Sequence, residues 1–137
     1  RGRRNGLAAY EAWAGALQRD DDFVADDPAV LWHRYEVHNN AVGSVAEGRW
    51  YAAQFLRQMA LREEGMAAEL VAAAECYEAE HDLMWQAWGA VGGNGRSEAH
   101  VRKLQVEAVR EEIVSIIMAA RAKDEEGAGH LEAALER

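Results

Sequence analysis

The sequence has 137 residues, half of them hydrophobic, and a formal net charge of −9. This length is typical of one domain, and the acidic balance excludes nucleic acid as a partner because a negative field repels phosphates. The only basic cluster, Arg1, Arg3 and Arg4, has no interleaved aromatic residues. No apolar run approaches the roughly 18 residues that span a bilayer, which excludes a membrane partner.

Helix-forming residues dominate the composition, with a single proline and no alternating run of β-branched residues, so we expect an all-α fold. Residues 1–6 are expected to be a linker or the start of a fragment, and residues 7–137 a single helical-bundle domain. Cys76 is the only cysteine, which rules out an internal disulfide. Together with the lack of a secretory signal pattern, it favours a reducing, cytoplasmic location.

The first predicted helix covers residues 7–18 and is followed by an acidic connector, residues 19–27, with five aspartates. Asp27 and Pro28 are typical of a helix start. Aspartate accepts hydrogen bonds from free amide groups at the N-cap, and proline fits the first helical position. We therefore expect the second helix over residues 28–61.

Two glycines, Gly43 and Gly48, lie inside that second helix. Each costs about 1 kcal/mol relative to alanine, which indicates a kink or the close approach of another backbone. A short turn at residues 63–65 leads to a third predicted helix over residues 66–91. The glycine-rich segment 92–95 ends it.

The fourth helix is predicted over residues 98–123, with Ser97 as its N-cap. Gly127 and Gly129 are expected to separate it from a short last helix over residues 130–136. Short loops between long helices require antiparallel neighbours. The predicted fold is therefore an antiparallel up-down-up-down bundle of four main helices with a short C-terminal helix.

The second and third predicted helices each place a histidine on an otherwise apolar face. Along each face the residues follow one another in steps of three and four. On the second helix the face consists of Leu31, Tyr35, His38, Val42, Val45, Arg49, Ala52, Leu56 and Met59. On the third helix it consists of Leu70, Ala74, Tyr77, His81, Met84, Trp88 and Val91. Folding one helix back on the other brings His38 level with Trp88 and Arg49 level with Tyr77. It also brings His81 near mid-bundle.

Buried polar groups on these faces must find partners, since an unpaired buried charge is very costly. One interpretation is a polar and aromatic pocket between helices two and three that binds a small molecule. Its ligand-binding residues would be His38, Arg49, Tyr77, His81 and Trp88. The alternative is an internal network of polar groups that satisfy one another.

Glu78 and His81 form an E-x-x-H string on the third helix. Di-iron bundles use two such strings, whereas this sequence has one, so a di-iron centre is not expected. A mononuclear metal site of Glu47, Glu78 and His81 is a weaker alternative to solvated carboxylates beside a core histidine. Cys76 and His81 are five residues apart and lie on different helix faces. No catalytic residue is therefore assigned, and no cofactor is expected.

Trp50 falls on the polar side of the second helix, next to small residues. Core packing is the common role of tryptophan, and the alternative for an exposed one is a contact surface for another domain or a second copy.

Three strings, residues 6–13, 50–56 and 73–77, together resemble a helical C-terminal region of bacterial proteins. These proteins belong to the butirosin-biosynthesis H family and related papain-like cysteine peptidase-fold proteins. The resemblance implies an accessory domain that packs on an acting N-terminal domain. The family's catalytic cysteine belongs to that N-terminal domain, and Cys76 does not match it.

We therefore expect a non-enzymatic accessory or binding domain of a larger bacterial protein that acts through helix-face contacts. The alternatives are a small-molecule-binding bundle and a metal-dependent helical-bundle enzyme. The expected partners are an N-terminal domain of the parent protein, a second copy of the chain, or a small molecule.

Overall fold

The computed structural model describes residues 6–136. The expectations for residues 1–5, including the arginine cluster, and for residue 137 lie outside this range. The described chain is all-helical, as predicted, and has no strand. Its helices are α1 (Leu7–Leu17), α2 (Pro28–Ala60), α3 (Ala67–Ala90), α4 (Glu98–Val101) and α5 (Glu107–Leu135). Within these residues, no helix combines the length and the apolar character needed to cross a bilayer.

Helix α2 begins where the sequence predicts. The Asp27 side chain accepts a hydrogen bond of 2.9 Å from the backbone N–H of Ala29, and Pro28 occupies the first helical position. The helix continues through Gly43 and Gly48. Within residues 6–136, no atom outside the local helix lies within 4 Å of where a Cβ would stand at either glycine, so the expected close approach does not occur there.

The predicted fourth and last helices are wrong in their boundaries. Helix α4 ends at Val101, and α5 runs without a break through Gly127 and Gly129. A Cβ at Gly127 would lie 2.9 Å from Cε1 of Tyr77 on α3. This glycine therefore permits close packing of α5 on α3, and that packing outweighs its low helix propensity.

A buried arginine stabilises the break between α4 and α5. The Arg110 guanidinium donates hydrogen bonds to the backbone carbonyls of Leu104 at 2.9 Å and Gln105 at 3.1 Å, and Nε donates to the carbonyl of Leu17 at 2.9 Å. Carbonyls at a helix end lack intrahelical partners. Arg110 supplies these partners and ties α5 to the end of α1.

Helix α3 lies between α2 and α5, and α1 packs on α5. Contacts between α2 and α3 join His38 to Ala87 and Arg57 to Glu78, so residue numbers rise on one helix as they fall on the other. Apolar side chains form two clusters, one around Met84 and Ile113 and one around Leu70. Because α1 makes few contacts with α2, the two helices leave an opening between them.

Candidate ligand-binding groove

A groove of about 430 Å³ occupies the opening between α1 and α2. Helix α1 contributes Trp13 and Leu17, the connector that follows contributes Phe23, and α2 contributes Val37 and Ala41 to its mainly apolar walls. The remaining lining residues are Ala16, Arg19, Asp22, His33, Arg34, His38 and Leu104. A concave apolar site with a few polar groups is the usual form of a small-molecule site.

His38 lines this groove and is only 4 % exposed. Its Nε2 lies 3.4 Å from the backbone carbonyl of Ala87, and a carbonyl only accepts, so Nε2 carries the proton of the neutral ring. Burial lowers the pKa of His38 and keeps the ring neutral. Nδ1 is then an acceptor. It is buried and has no hydrogen-bond partner within residues 6–136.

Arg34 lies one helical turn before His38 and also lines the groove. Its guanidinium stands over the ring of Phe23, with 5.6 Å between the central carbon and the ring centroid. Its Nη1 is a second buried atom that lacks a partner in the described part of the chain. By contrast, Arg19 at the same groove is paired with Asp22 at 2.6 Å.

Arg49 and Tyr77 meet as predicted, but in a core network away from the groove. The Arg49 guanidinium lies 5.2 Å from the Tyr77 ring centroid. It also donates to Glu80 and Asp124, each at 2.7 Å. The Tyr10 hydroxyl donates to Glu80. Side chains of α1, α3 and α5 thus satisfy the Arg49 guanidinium of α2, which packs on the Tyr77 ring, so the two residues take the structural role that the sequence left open.

Glu80 is fully buried at the centre of this network, although it is absent from the predicted apolar faces. Burial raises its pKa to about 7, against the opposing effects of Tyr10 and Arg49. The helical spacing could have indicated Glu80. Between Tyr77 and Met84, residue 80 and residue 81 both fit steps of three and four residues on one helix face. The structure places Glu80 in the core and His81 at its edge.

His81 and Trp88 belong to a partly exposed aromatic cluster outside the groove. The Trp85 indole N–H donates to His81 Nε2 at 2.8 Å, and the Trp85 and Trp88 rings are 5.3 Å apart. His81 Nδ1 lies 2.9 Å from the Asp82 carboxylate. The five residues predicted to line one pocket are thus divided among the groove, the Arg49 network and this cluster. Of the five, His38 lines the groove.

The three residues of the alternative metal site, Glu47, Glu78 and His81, also have different surroundings. Glu78 forms a two-point ion pair with Arg57, at 2.8 and 2.6 Å, and Glu47 is exposed. His81 is engaged by Asp82 and Trp85. Among the described residues, Glu47, Glu78 and His81 do not form a group with metal-ligand spacing.

Trp50 is 44 % exposed and its ring lies 5.3 Å from that of His81. Its neighbours Tyr51 and Phe55 on α2 are more exposed still, at 71 % and 61 %. The exposed apolar residue that the sequence singled out therefore belongs to a larger group on α2.

Comparison of the chain with protein-family models, with curated proteins and with solved structures found no match.

Proposed function

We propose that this chain is a non-enzymatic ligand-binding domain whose groove between α1 and α2 holds a small aromatic acid bearing a hydroxyl group. The supporting observation is a pair of buried atoms, His38 Nδ1 and Arg34 Nη1, that lack partners within residues 6–136 on side chains lining the groove. A buried unpaired polar group costs about 1–3 kcal/mol. A ligand that pairs with these atoms removes that cost.

The chemistry of the two atoms defines the ligand class. Neutral His38 offers an acceptor at Nδ1, which requires a donor such as a hydroxyl group. Arg34 is permanently charged and binds carboxylates well. Residues four apart on a helix have Cβ atoms about 5–6 Å apart, so one small molecule can contact both side chains once they turn toward the groove. The ring faces of Trp13 and Phe23 suit an aromatic body.

In this proposal α1, α2, α3 and α5 form the antiparallel up-down-up-down bundle that the sequence predicts. The groove is the side on which α1 and α2 separate. The predicted pocket between helices two and three is replaced by this groove, and His38 is the residue common to both.

The test uses 6-hydroxy-2-naphthoic acid and, as its matched control, 2-naphthoic acid, which lacks the hydroxyl group. Isothermal titration calorimetry should show that the wild-type chain binds the hydroxy acid about tenfold or more tightly than the control acid. The difference should vanish in His38→Leu. Arg34→Met should weaken the binding of both acids.

His81→Ala serves as the protein control, because His81 lies outside the groove, and it should bind both acids like the wild type. Equal affinity of the wild type for the two acids would contradict the assigned role of His38. A lack of binding of either acid at about 1 mM would reject the small-molecule function itself.

A second candidate function is contact with another domain of the same protein. The exposed side chains of Trp50, Tyr51 and Phe55 on α2 favour it, since exposed aromatic groups are typical of contact surfaces. The family resemblance expects such a neighbour on the N-terminal side of the chain. In this case the aromatic surface would pack on an apolar face of that domain, and self-association would indicate a second copy instead.

A further inference from the structure

We propose that Cys76, Glu126 and His130 form a zinc-binding site between α3 and α5. A ligand atom of each residue lies within 4.8 Å of the ligand atoms of the other two. Cys76 comes from α3, and the other two come from successive turns of α5. This site is independent of the groove between α1 and α2, since the two share no residue.

The three side chains supply a donor set that suits zinc. Thiolate, imidazole and carboxylate are its usual protein ligands, whereas calcium and magnesium prefer oxygen alone. Glu126 and His130 are four residues apart, so they lie on one face of α5. Three protein ligands leave a fourth tetrahedral position for water or another small ligand.

His130 is held as a metal-ligating histidine usually is. Its Nδ1 lies 2.9 Å from a carboxylate oxygen of Glu69 on α3, which leaves Nε2 as the nitrogen for the metal. A carboxylate on the second ring nitrogen orients the imidazole and increases its basicity. This contact is the second observation that points to a metal at this position.

Modest movement converts the present geometry into a zinc site. Bonds of about 2.0–2.3 Å in a tetrahedron place ligand atoms roughly 3.5 Å apart, so each separation must shorten by at most about 1.3 Å. Glu126 is exposed and pairs with Lys123 at 2.6 Å, a surface contact of small energy. Its side chain can therefore turn toward the metal. On binding, zinc replaces the proton of the Cys76 thiol, and that proton passes to solvent.

Close packing holds the cysteine in place. A Cβ at Gly127 would stand 3.3 Å from Cβ of Cys76, so the backbone of α5 passes directly beside this residue. Cys76 itself is 5 % exposed. Cys76 thus lies at the interface between the helices, close to Glu126, the residue that precedes Gly127.

The test titrates the full chain with Co²⁺ and Zn²⁺ under reducing conditions. We expect one Co²⁺ per chain, a near-ultraviolet thiolate-to-cobalt absorption band, and displacement of Co²⁺ by Zn²⁺. Cys76→Ser should abolish the band. His130→Ala and Glu126→Gln should weaken binding, and Glu69→Gln should weaken it about tenfold or more.

His81→Ala is the matched control and should bind both metals like the wild type. Glu126→Gln keeps the proposal testable if Cys76→Ser fails to fold, because Glu126 is at the surface. Absence of a one-to-one complex would overturn the proposal. So would cobalt binding without a thiolate band, or binding that depends on His81 and is unaffected by Glu126→Gln.

Discussion

Within residues 6–136, polar side chains that are buried or half-buried have two kinds of environment, with different consequences. Glu80 and Arg49 satisfy each other and their neighbours, so they connect the helices. His38 and Arg34 each keep a buried atom that has no partner in the range 6–136. Buried polar atoms without partners lower the stability of the folded chain, and such a cost is typical of binding sites.

Replacing His38 by leucine should leave stability unchanged or raise it by about 1 kcal/mol. Leucine removes the unpaired Nδ1, and with it the one hydrogen bond that His38 makes to residues 6–136, the long one to the Ala87 carbonyl. Urea unfolding followed by circular dichroism measures the change. A loss of more than about 2 kcal/mol would show that His38 is a structural residue.

The pH dependence of stability should report on Glu80. Its folded-state pKa of about 7 lies above the ordinary value of 4.5. Its contribution to stability is therefore full below pH 4.5 and is lost as the pH rises through 7. Relative to Glu80→Gln, the wild type should lose at most about 3 kcal/mol between these two pH values.

Denaturant unfolding of both proteins at matched pH values gives this difference. The comparison is needed because burial lowers the pKa of His38, whose contribution is lost in the opposite direction, as the pH falls below 6.5. His38 is common to both proteins, so its effect cancels. Parallel stability profiles for the wild type and Glu80→Gln would contradict the prediction.

At the scale of the elements, α5 shows how packing against a neighbour overrides a local helix breaker. Gly127 lies against Tyr77 and Cys76 of α3, whereas no atom outside the local helix lies within 4 Å of a Cβ built at Gly129 among the described residues. Glycine is therefore required at position 127, whereas it is dispensable at position 129.

Alanine substitutions at these two glycines should change stability in opposite directions. Gly127→Ala should destabilise the protein by about 1–3 kcal/mol, because its methyl group overlaps the Tyr77 ring. Gly129→Ala should stabilise it by about 0.5–1 kcal/mol through helix propensity. Thermal and urea unfolding measure both effects. Equal changes at the two positions would show that α5 does not pack on α3 as described.

At the scale of the whole molecule, the exposed aromatic residues of α2 are the basis of the proposed contact with another domain. Tyr51 and Phe55 are largely exposed and lie in the C-terminal half of α2. The net charge of −9 opposes the approach of a second copy of the chain. A neighbouring domain that covers these residues would gain apolar burial without two like-charged copies being brought together.

The double substitution Tyr51→Ser and Phe55→Ser should preserve the fold and weaken contacts with apolar surfaces. Stability should change by less than about 1 kcal/mol in total, since both side chains are exposed. Binding of a fluorescent apolar dye should fall, and sedimentation velocity should show less association if any occurs in the wild type. Val24→Ser, which alters an exposed apolar residue of the connector, is the control and should change neither measurement.

Much of the helical framework follows from the sequence alone. The all-α character and the start of α2 at Asp27 and Pro28 depend on local chemistry, namely helix propensity and end capping. The contact of Arg49 with Tyr77 follows from helix geometry, because a short turn sets which residues of two antiparallel helices lie opposite each other. These features involve interactions between residues close in sequence, or the rigid extension of one helix beside the next.

The groove and the continuous α5 were decided by tertiary structure. Spacing allowed either Glu80 or His81 to enter the core, and packing against α1 and α5 selected Glu80. The local sequence predicts a helix break at Gly127. In the structure Gly127 packs against the Tyr77 ring and the helix continues. Helix periodicity assigns a residue to a face within about one position. Which helix covers that face, and where a gap remains, depends on contacts between residues distant in the chain.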